Sequence, residues 1–350
     1  MKFDSPQSLA NAGDLVGTAP EPRGPVSAHL LAMLSDPPSE NVDSDLLLLN
    51  AEVVAALTTS TDILTDEDLQ LALFMLYSLH YGPATYVRGE WEWHPGLLRT
   101  RALIEEDFEP GLRSRVPLPG RLPTSGSAVA ELLFEMTAET SGPSLSRWIA
   151  KKATDDQLRE FLVHRSIYTL KEADPHSWAI PRLHGRAKVA LVEIQSDEYG
   201  AGRPERMHAT IFAGTMKGMG LDSTYGAYLN SVPAITLASM NMMSMFGLHR
   251  RLRGAIAGHL AAFEMTSSIP NRQYGNGFRR LGHGPDVTWY FDEHVEADAV
   301  HEQIAGRDLA GALAEDEPEL LLDILFGAAA CLYVDGRVGQ HMLECWSHGE

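Results

Sequence analysis

The sequence predicts an all-α fold, a helical bundle, on three observations. From Asp45 onward apolar residues recur at helical spacing almost everywhere. No alternating run of strand length occurs. No linker-like stretch separates Glu172 from His301, so the chemistry-bearing residues between them belong to one unit. With 350 residues, 44% of them hydrophobic, the chain is long enough to bury a large core.

Residues 1–42 are rich in Pro, Ser, Gly and Asp with little periodicity. They read as a flexible arm or a loosely docked tail, leaving 43–350 as the folded domain. Helical patterns then cover Asp45–Thr58, Asp66–His80 and Pro95–Phe108, the second starting at Asp66 with Asp68 in its first turn. Arg113–Ser127 holds three prolines and two glycines and must be a loop. Further helices are expected over Ala128–Ala138, Leu145–Lys152, Asp155–Glu172, Leu183–Tyr199, Pro204–Gly218, Ser223–Leu229, Ala234–Leu248, His249–Met265, Ile269–Leu281, Val287–Ala305 and Pro318–Val334. Gly200, Gly202 and Pro204 force the chain to kink, unwind or end a helix between Glu198 and His208, and such a break would hold flanking side chains loosely.

Composition narrows the function classes. A net charge of −19, from 28 basic and 47 acidic side chains, disfavours nucleic acid, whose phosphates would be repelled. The longest apolar stretches, such as Ile324–Val334, are too short and interrupted to cross a membrane. Met1-Lys2-Phe3-Asp4 lacks the apolar core of a secretion signal. Two cysteines, Cys331 and Cys345, form no disulfide framework, so a cytoplasmic location is expected. Cys331, within Ala328-Ala329-Ala330-Cys331-Leu332, reads as core packing, as do Met240, Met242, Met243 and Met245. The basic run His249-Arg250-Arg251-Leu252-Arg253 reads as a solvated face, with a reductase-docking or substrate-carboxylate patch as the alternative.

The most informative stretch is Tyr290–His301. On a helix His294, Asp298 and His301 sit at about 0°, 40° and −20°, one stripe under a turn wide. Two imidazoles and a carboxylate on one stripe make half a site for a first-row metal. Glu172 and Glu264 lie in otherwise apolar surroundings, where a carboxylate costs several kcal/mol unless a cation compensates it. The segment from Glu193 to His208 adds Glu198 and His208. Four carboxylates (Glu172, Glu198, Glu264, Asp298) and three histidines (His208, His294, His301) fit two divalent ions by ligand type. Their four negative charges would balance two Fe(II) ions.

This set resembles that of the haem-oxygenase-like diiron oxidases and oxygenases, the iron-containing redox enzymes. The carriers are Glu172, then Asp197-Glu198-Tyr199-Gly200 with Arg203-Pro204 and His208, then Glu264, then His294-x3-Asp298-x2-His301. The resemblance covers roughly residues 45–345 and implies a haem-oxygenase-like helical bundle. It implies two Fe ions held by the seven residues, O2 as co-substrate, and a peroxo-diferric species attacking a small amine- or amino-acid-type substrate, with N-oxygenation favoured. Glu198 and Glu264 are the candidate bridging carboxylates, and Asp197 is expected to orient an imidazole or Arg203. One departure is Ser78 in Tyr77-Ser78-Leu79-His80-Tyr81, where relatives often carry a glutamate. Rival readings are cleavage or desaturation of C–C or C–H bonds, a non-enzymatic iron-binding protein, and a metal-free thiaminase-like use of the scaffold. Arg272, Tyr274 and Arg279 are candidates for a substrate carboxylate, while Trp289 and Tyr290 read as core aromatics. A homodimer and an external electron donor are expected as partners.

Overall fold

The structure is a computed structural model that describes residues 20–38, 42–82, 88–138 and 142–347, the side chains of 296–299 excepted. Every regular element among the described residues is helical. The helices are α1 (Pro25–Leu34), α2 (Val42–Thr59), α3 (Glu67–Ser78), α4 (Pro95–Arg113), α5 (Gly126–Thr137), α6 (Leu145–Lys151), α7 (Asp155–Thr169) and α8 (Asp174–Ser177). They continue as α9 (Gly185–Glu198), α10 (His208–Gly218), α11 (Ala234–Leu248), α12 (Arg253–Met265), α13 (Ser268–Arg280), α14 (Pro285–Gln303), α15 (Ala312–Asp316) and α16 (Leu321–Ser347).

α12 is central. Its residues from Gly254 to Ala262 are all buried, and it packs along α16 and against α11 and α14. A Cβ at Gly258 would fall on the Ile324 carbonyl oxygen, so a side chain there would push α16 away. α3 is buried from Leu69 to Ser78 and starts where the Asp66 carboxylate accepts from Leu69 N at 3.0 Å. α6, α13, α10 and α14 surround a second apolar cluster containing Phe212, Phe278, Tyr290 and Phe291. No described helix is long and apolar enough to cross a membrane.

Several expectations need correction. Part of the supposed arm is α1, whose Val26, Leu30 and Leu34 are buried against the core; the Asp68 carboxylate accepts from Val26 N and Ser27 N and holds it on α3. Residues 1–19 lie outside the described residues. The helix expected over Asp155–Glu172 stops at Thr169, because Ala173 is left-handed at φ 75° just before Asp174-Pro175. Ser223–Leu229 is a turn around Gly226 followed by a short 3-10 segment. α4 runs through Pro110 to Arg113, and α16 runs thirteen residues past Val334 to Ser347. After α14 the chain winds as a π-helix over Ile304–Gly311.

The Gly200–Pro204 interruption falls between α9 and α10 and is filled by two 3-10 turns, Gly200–Gly202 and Pro204–Arg206. Gly200 has φ 73°, and a Cβ there would sit 2.7 Å from Arg206 C and Met207 N. The chain closes on itself and returns His208 to Glu198. The basic run is tied down too, with Arg251 to Glu109 at 2.6 Å and His249 to Glu105 at 2.8 Å.

Gly258→Ala should destabilise the protein by about 1–3 kcal/mol through overpacking between α12 and α16. Urea unfolding followed by circular dichroism checks this, and an unchanged midpoint would show that the two helices can separate at no cost.

Candidate metal centre

Six of the seven expected ligands converge. Glu172 lies on the turn after α7, and Glu198 is the last residue of α9. His208 is the first residue of α10, Glu264 the penultimate one of α12, and His294 and His301 project from α14. All six are buried, at 1–7% exposure, too little for water to solvate their charges. The seventh, Asp298, has its backbone in α14, but its side chain lies outside the described residues.

The six form two overlapping groups. Glu172, Glu198, His208 and His294 each offer an atom within 4.8 Å of the others, and so do Glu198, Glu264 and His301. Glu198 is common to both. Its Oε2 lies 2.9 Å from His208 Nδ1 and its Oε1 lies 3.9 Å from His301 Nδ1, which is itself 3.6 Å from Glu264 Oε2. His294 Nε2 is 3.6 Å from Glu172 Oε1.

Neighbouring groups fix the orientation of these side chains. His301 Nε2 lies 3.1 Å from Asp197 Oδ2, which leaves Nδ1 facing the two glutamates. His294 Nδ1 lies 2.7 Å from the Tyr290 carbonyl, which turns Nε2 inward. A ring nitrogen held by a carboxylate or carbonyl is the usual support for an imidazole that binds metal through its other nitrogen. The Tyr290 hydroxyl donates to both oxygens of Glu172, at 2.8 and 2.9 Å. Tyr290 is thus a contact of the cluster as well as a core aromatic, whereas Trp289 is exposed. Asp197 pairs with His301, and no pairing with Arg203 occurs among the described residues.

Charge balance explains the protonation of this cluster. Burial opposes ionisation of Glu198, yet His208, His294 and His301 hold it well below the usual carboxylate range. Burial and the adjacent Glu198 charge push Glu264 up, while His301 pulls it back. His208 is raised because Glu198 outweighs the cost of burying its charge. Burial likewise works against His301, but Glu264, Asp197 and Glu198 together hold it up to about 9. Protons therefore compensate the buried carboxylates wherever a cation does not. Carboxylate oxygens and imidazole nitrogens with no thiolate suit iron or manganese rather than a soft ion, and the spacing within each group fits coordination of one ion.

A cavity of about 10 Å3, room for roughly one water, lies against the cluster, walled by Tyr168, Leu260, Phe263 and Ser267. Phe263 and Ser267 also line a pocket of about 540 Å3 on its far side. Tyr274 lines that pocket, whereas Arg272 is exposed and Arg279 pairs with Asp292. Two charged residues of the pocket, Arg165 and Asp335, were not singled out from sequence. The only signal for Arg165 is its place seven residues before Glu172. Ser78 lines neither space and bonds back to the Phe74 carbonyl, so its departure from relatives does not touch the cluster. The Cys331 thiol, pushed up by burial and by Asp335, and the exposed Cys345 are absent from both linings.

Comparison with known proteins agrees with this geometry. A family described as iron-containing redox enzyme matches residues 159–336, which include all seven candidate ligands. A nitrosourea synthase of Streptomyces achromogenes subsp. streptozoticus is 25% identical over 205 residues, 57% of this chain and 44% of that protein. The chain thus spans less than half the length of the curated relative it matches. A CADD-like protein of unknown function from Nostoc punctiforme aligns with a TM-score of 0.50 at 17% identity, over 63% of this chain and 97% of that one, a likeness of fold alone.

Two outcomes follow from the proton balance and from the Asp197 contact. Iron must displace the proton that His301 carries below about pH 9, so Fe(II) uptake should release protons. Affinity should then weaken roughly tenfold per pH unit per displaced proton as pH falls below 8. Anaerobic titration in weakly buffered indicator reads both, and pH-independent uptake would contradict the balance. Asp197→Asn should cost about 10- to 100-fold in iron affinity without changing helical content, whereas unchanged affinity would make the contact incidental.

Proposed function

The chain belongs to the iron-containing redox enzyme family, and on that footing we propose that it is an O2-dependent non-haem diiron oxygenase or oxidase acting on a small amine- or amino-acid-type metabolite. The observation that carries this reading is the sharing of Glu198 by the two ligand groups. A mononuclear site would need only one group, and two separate sites would share no ligand. In this reading Glu172, Glu198, His208 and His294 would hold one iron and Glu198, Glu264 and His301 the other, with Glu198 contributing to both. Asp298, four residues after His294 and three before His301, completes the set by its position on α14.

Bound Fe(II) supplies the electrons and open coordination positions on which O2 reduction depends. The chain's own groups do the rest. Asp197 and the Tyr290 carbonyl fix the tautomers of His301 and His294. The Tyr290 hydroxyl restrains Glu172 and is the nearest neutral proton donor to that carboxylate; burial and Glu172 push the phenol well up, so it stays protonated. Tyr168, Leu260 and Phe263 keep bulk water from the cavity, where uncoupled hydrolysis or reduction would otherwise compete. Oxygen transfer to nitrogen is the favoured chemistry. An amine lone pair is a ready acceptor of an oxygen atom, and the relative named nitrosourea synthase is named for a product with oxygen on nitrogen.

Anaerobic loading should give about two Fe per chain. Glu198→Ala should abolish binding of both, while His208→Ala should retain about one. Glu198→Ala that still binds two ions would exclude the bridge. Mass spectrometry after aerobic incubation with amines and amino acids separates the chemistries: a gain of oxygen on nitrogen supports the proposal, and loss of carbon or of two hydrogens replaces it with C–C or C–H oxidation. Many irons per chain and no organic product would make it an iron store.

A further inference from the structure

The pocket of about 540 Å3 beside the cluster holds two charged side chains without adequate partners. Arg165, from α7, donates no hydrogen bond to any described residue and has no described carboxylate within 4.0 Å, although it is largely enclosed by protein. A guanidinium has five donors, and those of Arg165, met by no described protein group, open onto the pocket, where a ligand can take them. Asp335, from α16, faces the same pocket and accepts only from Ser239 Oγ at 3.2 Å and, weakly, from the Cys331 thiol at 3.9 Å. The two charges do not form an ion pair with each other, which leaves room for a ligand between them. The rest of the wall is mixed: Phe161, Phe263, Leu332 and Met342 are apolar, Asn271 is polar, and a third charged residue, Arg147, is already engaged with the Gly142 carbonyl.

We propose that Arg165 and Asp335 bind the headgroup of an α-amino acid, Arg165 pairing with its carboxylate and Asp335 with its ammonium. Arg165 suits a carboxylate because its planar fork can make two parallel hydrogen bonds to one. An opposite charge on the same wall selects a zwitterion over a simple acid or a simple amine. The substrate's remaining chain runs past Phe263 and Ser267, the residues common to the pocket and the cavity at the cluster. Arg165 precedes Glu172 by seven residues, a separation of roughly 10–12 Å along α7 and its terminal turn. The atom presented to the cluster is therefore at the far end of the side chain, not at the α-carbon. The identity of the reacting atom rests on the diiron reading; headgroup binding does not.

The test uses the whole chain and three probes of one tail length: L-norleucine, n-pentylamine (no carboxylate) and hexanoate (no ammonium), titrated calorimetrically. Norleucine should bind at least about tenfold more tightly than either of the others. Arg165→Gln should weaken norleucine and hexanoate roughly 30-fold or more and leave pentylamine unchanged, while Asp335→Asn should weaken norleucine and pentylamine and spare hexanoate. Norleucine binding no better than pentylamine or hexanoate in the wild-type protein overturns the proposal even if neither variant folds. So does loss of stability in Arg165→Gln with unchanged probe selectivity, which would make Arg165 structural. Iron content measured in parallel separates the two readings. Zwitterion selectivity in a protein that takes no iron leaves the headgroup site standing without the metal centre, whereas full iron loading with no selectivity removes the headgroup site alone.

Discussion

Three carboxylates, Glu172, Glu198 and Glu264, are buried within a few ångströms of one another, and the architecture around them answers that cost. Each ionised carboxyl withdrawn from water costs several kcal/mol, and neighbouring like charges add to it. Three imidazoles from α10 and α14 offset the charge by taking protons or by sharing a cation. Everything else near the cluster limits how that compensation can vary. The Tyr290 hydroxyl fixes Glu172, Asp197 fixes His301, and a backbone carbonyl fixes His294. Helices without a strand among the described residues suit this task because their side chains converge from four directions while their backbone groups are already satisfied.

The position of the ligands is a matter of helix ends as much as of helix faces. Glu172, Glu198, His208 and Glu264 all lie within a few residues of a helix terminus, and only the α14 pair reads as a stripe. Left-handed residues follow both ends: Ala173 directly after Glu172, and Gly200 and Ala201 after the Tyr199 that follows Glu198. A non-glycine residue in that region costs of order 1 kcal/mol or more, and it persists only where its surroundings over-determine it. Around Ala173 they do. Its carbonyl accepts from Gln195 Nε2 at 2.8 Å, and the same amide group reaches Ser177 Oγ at 2.7 Å. Ser177 and Asp174 in turn hold the Tyr199 hydroxyl, so the turns bearing Glu172 and Glu198 are laced to each other.

This division explains what the sequence disclosed. The α14 stripe and the isolated acids Glu172 and Glu264 were legible because periodicity and an apolar context make a polar residue conspicuous. The all-α class was legible for the same reason. Helix ends were less so: Asp155–Glu172 was read three residues too long, because an alanine at positive φ has no sequence signature. The docking of α1 was missed because its stabilising groups, the Asp68 carboxylate and the core beneath Leu30, come from elsewhere in the chain. The Gly200–Pro204 break was legible from its Gly and Pro residues, but the tertiary reason for glycine at Gly200, the close return of the backbone onto Arg206 and Met207, was not. Arg165 was passed over because arginine on a helix ordinarily marks a solvated face. Its meaning depends on a pocket that α13 and α16 complete more than a hundred residues later.

The pocket and the cluster share their supports. α7 carries Arg165 and ends in the turn that holds Glu172, while α12 carries Phe263 and Glu264 at its last turn and is followed by Ser267. Arg165 lies four residues before the end of α7 at Thr169 and Glu172 three residues after it, so only a short stretch of chain separates them. A ligand held by Arg165, as proposed, would reach the cluster past Phe263 and Ser267, the residues common to the pocket and the cavity. Sites on rigid elements hold reacting groups more narrowly than sites on loops. Under that proposal, the length of the bound molecule decides which of its atoms lies nearest the buried carboxylates.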